Sequence, residues 1–242
     1  MSPHRTPVVR LAPWYFAVLA ALTPVAFWPS YVALPKGEFS GFHHVHAAAG
    51  VAWLALLIAQ PMLASRGHVQ AHRFLGRAGA MVMAVLLGSF VGLSHSVLQG
   101  KTGDALAIEA YLSYLRLVAG AAVAGCFALA LVYRKHTPVH SRLMICTGLP
   151  LVDPVVHRLA FSVLQDPGFN YQLLSWALVA ATLGTFIWLD RHERAGRLVF
   201  PAFLAVFTVL FAPAVFKFWK WGGVWDAWQA AVRWFAHLPL TG

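Results

Sequence analysis

The stretch Phe42–Leu98, FHHVHAAAGVAWLALLIAQPMLASRGHVQAHRFLGRAGAMVMAVLLGSFVGLSHSVL, decides the fold. Two long apolar runs flank a short basic turn. Histidines mark their ends: His43, His44 and His46 at the start, His68 and His72 in the turn, His95 at the far end. Runs of about 20 apolar residues match the hydrocarbon thickness of a bilayer and read as membrane helices. Imidazoles gathered at both membrane faces make a metal or cofactor the first functional hypothesis.

Composition extends this reading to the whole chain. Of 242 residues, 60% are hydrophobic and 11% charged, and the mean hydropathy is +0.67. A soluble domain carries about 25% charged residues, so there is too little charge here to cover a water-facing surface. The expected fold is all-α, a polytopic helical bundle of about seven transmembrane helices forming one domain over 1–242. Little length remains for a soluble catalytic domain.

The spans are expected at about 11–32, 43–64, 74–98, 106–133, 141–165, 170–190 and 198–218. The core bundle is placed at about 43–165. Pro150 and Pro154 interrupt the fifth span, because proline lacks the N–H a helix needs. The tail, about 219–238, holds Trp219, Trp221, Trp225, Trp228 and Trp234 with few charges, and reads as an interfacial amphipathic helix. The N-terminal apolar stretch reads as an uncleaved first span rather than a signal peptide.

The net charge of +10 is distributed by topology. Arg5, Arg10, Arg66, Arg73, Arg77, Arg134, Lys135, Arg142, Arg191, Arg194 and Arg197 fall at one set of span ends, at alternate connections. The positive-inside rule then predicts a cytoplasmic N-terminus and an external C-terminus in a bacterial inner membrane. The basic excess calls for no nucleic acid. Membrane lipids are the expected partners, with a quinone or a redox partner protein if the chain carries electrons. Cys126 and Cys146 lie inside apolar spans with no CxxC pairing and read as small core residues.

Several polar residues sit where lipid alone would not tolerate them. His46, Gly50, Trp53, Leu57 and Gln60 share one helical stripe. Gly88, Gly92 and His95 end the third span, where small residues admit a neighbouring helix or a flat cofactor. Asp153 and His157 are four apart, so the carboxylate could orient the imidazole, and Arg116 is a candidate partner for Asp153. His68 with His72, and His136 with His140, each have a spacing that can chelate a metal on one helical face. No Ser-His-Asp arrangement, phosphate loop or dinucleotide fingerprint stands out.

The elements His46-x-x-x-Gly50, Gln60, Arg66, His72-Arg73-x-x-Gly76-Arg77 and His140-x-Arg142-x-Met144, with Arg158 beyond, resemble a bacterial and fungal family of multi-pass predicted membrane proteins of uncharacterised function. The resemblance covers about 43–160 and implies a topology and a shared site, without an activity. More loosely, the chain resembles the membrane cytochrome b and ferric-reductase superfamily, in which histidine pairs on neighbouring spans hold haem b. That likeness implies one pair from His72 and His140 and another from His95 and His157, with His46 as an alternative ligand. Arg73, Arg142 or Arg158 would then pair with the propionates.

Three readings follow. In the first, haem b passes electrons between a quinone or cytoplasmic donor and an outer acceptor. In the second, His43, His46, His95 and His157 hold iron, copper or zinc, with Asp153 behind them, in an enzyme acting on a lipid-like substrate. In the third, a cofactor-free transporter or assembly factor uses Asp153 and its neighbours to relay protons.

Overall fold

Apolar runs of this length satisfy their backbone polar groups internally, and in a membrane only helices or closed barrels do so. The computed structural model describes residues 6–33 and 39–240. Lys36 and Glu38 of the first connection, and Arg5, lie outside them. Among the described residues there are helices and no strands. The long elements are α1 (Pro7–Phe27, running on through a π turn at Trp28–Val32), α2 (Gly41–Ser65), α3 (Val69–Leu98) and α4 (Gly103–Val132). The fifth span is α5 (Thr137–Cys146), a 3-10 turn at Leu149–Leu151 and α6 (Val152–Leu164). Then come α7 (Tyr171–Leu189), α8 (Val199–Val215) and α9 (Gly223–Ala236).

Six of these segments are long and apolar enough to cross a membrane, which is compatible with an integral membrane protein. The expected seventh span is shorter: α8 has 17 residues, about 26 Å at 1.5 Å per residue. It is nonetheless the most uniformly apolar helix. One stripe of it, Phe200, Phe203, Phe207 and Phe211, is buried, and the rings of Phe203, Phe207 and Phe211 stack in sequence.

Packing follows a closed order. α1 lies between α2 and α6, α2 against α3, α3 beside α4, α4 beside α8, α8 beside α7, and α7 beside α6. Inside this ring sits α5, which touches α1, α2, α4 and α8. The fifth span therefore starts at the centre and leaves at the periphery. It is 50% buried along its apolar window, against 22–33% for the other five. A helix surrounded by protein can carry polar groups that lipid would expel. This explains why the fifth span, with the lowest hydropathy of the six, holds His140, Arg142, Asp153, His157 and Arg158.

The break in the fifth span falls at Thr147 and Gly148, just before Pro150. A Cβ at Gly148 would overlap the side chains of Phe16 from α1 and Leu57 from α2. Gly148→Leu should therefore overpack the junction and destabilise the fold by about 1–3 kcal/mol. Thermal unfolding in detergent checks this, and an unchanged midpoint would refute the packing argument. At the tail, α9 docks on the ends of α3 and α4. Val232 packs with Leu98, Leu106 and Ala110, and Trp228 Nε1 donates to the Ala110 carbonyl at 2.8 Å.

Candidate functional site

The polar residues of the bundle form two groups, one toward each end of the fifth span. The basic end, where α1, α3 and α5 begin and α2, α4 and α7 stop, holds the first. Here α5 enters with Arg142, whose side chain is 1% exposed and faces Asp190 at 2%. Arg142 Nε donates to Asp190 Oδ2 at 2.5 Å, and Nη1 donates to the Pro138 carbonyl at 2.7 Å. Asp190 is the residue on which α7 ends, so the pair ties the central helix to the ring. Arg142 is thus committed to a carboxylate of its own chain and is not a free cation for haem propionates.

Two histidines complete this group. His140 Nδ1 donates to the Ala130 carbonyl at 2.8 Å, and His72 Nδ1 donates to the Gln60 carbonyl at 3.3 Å. Ala130 lies in the last turn of α4, where a helix leaves carbonyls without backbone donors. A carbonyl only accepts, so in each neutral ring the proton sits on Nδ1 and Nε2 keeps its lone pair. The two imidazoles come from different spans and lie within electrostatic range of each other. Their sequence neighbours do not join them. His68 and His136 are the N-cap residues of α3 and α5, have non-helical backbone angles and are exposed. The spacing of four therefore does not place either pair on one helical face. Arg73 is exposed at the same end.

The second group lies in the opposite half. Arg116 Nη2 donates to Glu109 Oε2 at 3.1 Å and to Ser113 Oγ at 2.9 Å. The partner expected for Arg116 was Asp153; the structure gives it Glu109, two turns back on its own helix. Asp153 lies instead within electrostatic range of Arg158 and Tyr111, and its Oδ1 is buried without a hydrogen-bond partner among the described residues. Arg158 stacks on Phe27, 4.1 Å from the ring centre, and donates to the Pro154 carbonyl at 3.0 Å. The guanidiniums of Arg116 and Arg158 lie within range of each other, so Glu109 and Asp153 balance two cations.

His46 Nδ1 meets Ser89 Oγ at 3.0 Å, and Ser89 gives its one proton to the Leu86 carbonyl at 2.7 Å. Ser89 therefore accepts from His46, which also keeps its Nε2 lone pair. His43 Nδ1 meets Ser40 Oγ at 2.9 Å, and Ser40 contacts Ser96. Both histidines lie within range of Arg116.

The remaining expected ligands go elsewhere. His157 is bonded to Gln172 of α7 at 3.2 Å, not to Asp153, which lies beside Ser175 of α7 and within electrostatic range of Arg158. His95 is fully buried, with Phe235 of α9 edge-on to it at 5.4 Å. The space expected beside it is filled, because the Phe42 ring occupies the position a Cβ on Gly92 would take. Among the described residues, no three His, Cys, Asp or Glu side chains gather into a metal-holding group. The set His43, His46, His95 and His157 is not assembled.

Sequence reasoning missed Asp190, Gln172 and Ser89. Asp190 had a signal: it is the acid that closes an apolar span inside an otherwise Arg-rich connection. Comparison of the chain with protein-family models, with curated proteins and with solved structures gives no match in any of the three.

Proposed function

We propose that the protein is a membrane redox carrier that takes haem b between His72 and His140 at its basic end. One observation carries this reading: two imidazoles from different spans at one end of the bundle, each held by a backbone carbonyl with Nε2 left as a lone pair. That is how proteins prepare histidine as a ligand, since the hydrogen bond fixes the tautomer and raises the basicity of the other nitrogen. His72 and His140 would hold haem b, which would supply one-electron transfer when bound. The chain's own part is to hold both rings, to shield the site with apolar spans and to offer Arg73 as a cation for a propionate. Arg158 belongs to the other half of the bundle and would not serve this site.

The basic end would face the cytoplasm of a bacterial cell. The electron donor or acceptor there is a quinone or a redox protein. A non-haem iron, copper or zinc site has weaker support, because these two imidazoles gain no third His, Cys, Asp or Glu among the described residues. A transport reading has one observation in its favour, the charge-balanced group of Glu109, Arg116, Asp153 and Arg158 in the far half. Buried ionisable side chains in membrane helices commonly mark proton or ion paths.

The test is an ultraviolet–visible spectrum of the detergent-purified protein after incubation with ferric haem and removal of the excess. A Soret band, with sharp α and β bands on dithionite reduction, is the expected result. A featureless spectrum would end the haem reading. Elemental analysis of the protein as purified would then separate a colourless metal site from the transport reading.

A further inference from the structure

At the basic end, α1 begins beside the point where α2 stops. A groove of about 420 Å³ opens between them, lined among others by Arg10, Pro13, Trp14, Pro61, Met62 and Arg66. Its lining is mostly apolar and includes the two arginines. Both arginines are exposed, and neither has an ion-pair partner among the described residues.

The local backbone adds positive potential. The first turn of α1 contains no acidic residue, and its N-cap Thr6 makes no side-chain capping bond. Thr6 is 7% exposed, and its Oγ1 is buried without a hydrogen-bond partner among the described residues. A helix N-terminus leaves N–H groups unpaired and favours a negative charge. Placing Arg10 in that turn is unfavourable for the protein alone and favourable once an anion is present. The apolar trench behind the arginines would be wasted on a small hydrophilic anion. Trp14 is 70% exposed on its rim, as suits a ring at the membrane–water boundary.

We propose that this groove binds one anionic phospholipid, its phosphate between Arg10 and Arg66 and an acyl chain between α1 and α2. Basic pockets between membrane helices on the cytoplasmic side recognise such headgroups. The inference is independent of the haem reading, since the groove and the histidine pair share no residue.

The experiment is native mass spectrometry of the full chain with phosphatidylglycerol or phosphatidylcholine. Wild type should retain one phosphatidylglycerol under conditions that strip phosphatidylcholine. Each arginine is worth about fivefold in affinity for an anionic lipid surface, so Arg10→Gln with Arg66→Gln should weaken retention about 25-fold. Arg10→Lys with Arg66→Lys should restore retention to within about threefold, because the charge is kept. Both side chains are exposed, so the fold should survive, and circular dichroism of each variant checks that. Equal retention of the two lipids would overturn the proposal, as would equal retention by wild type and the glutamine variant. Displacement of the lipid by millimolar inorganic phosphate would reduce the site to a phosphate site and overturn the lipid assignment.

Discussion

Arg142→Ala should be the most destabilising single substitution in the bundle, at about 3–5 kcal/mol. The reason is what it leaves behind. Asp190 is 2% exposed and would be left buried with no cation beside it. Asp190→Ala should cost a similar amount, because the guanidinium would then retain only the Pro138 carbonyl. The double variant Arg142→Met with Asp190→Leu should recover most of the loss. Burying two ions is expensive, and apolar residues of similar volume often replace such a pair at little cost. The pair is not fully satisfied either: Arg142 Nη2 and Asp190 Oδ1 are buried without partners among the described residues. Unfolding midpoints of the three variants in detergent measure the coupling. If the double variant is as unstable as the singles, the pair is not the source of the effect. The site would respond as well, since His140 lies two residues before Arg142 on the same helix.

His72→Ala and His140→Ala should each abolish the haem spectrum. Substituting even a partner behind a metal ligand typically costs about 10- to 100-fold in affinity, and removing the ligand itself should cost at least as much. His68→Ala and His136→Ala supply the controls, because they alter exposed cap positions of the same two turns. These should keep the Soret band. Free imidazole should restore part of it to a His72→Gly or His140→Gly variant, which a merely unfolded protein would not show. Bands that survive both alanine variants, but vanish in His46→Ala, would move the ligand assignment to the opposite half of the bundle.

Arg116 shows how far a pattern along one helix can be read. Its partner Glu109 is seven residues back, two turns on the same face, so the pairing was legible in principle. The two HxxxH turns show the opposite case. Their spacing was correct, but helix starts at His68 and His136 put one member of each pair outside the helix. The pair proposed as ligands, His72 and His140, runs across spans, and nothing in either turn announces the other.

By itself, the sequence determined the apolar helical character, the span positions to within a few residues, the break in the fifth span and the amphipathic tail. Each of these depends on one-dimensional properties: hydropathy over a bilayer's width, proline's missing N–H, and the period of a helix. The tertiary structure alone decided that the fifth span begins at the centre. It also decided that Arg142 meets Asp190 48 residues away, that Phe42 fills the space beside Gly92, and that His72 comes within electrostatic range of His140. These depend on which faces of different helices meet. That choice is set by the summed packing of all the spans, and no local window of sequence contains it.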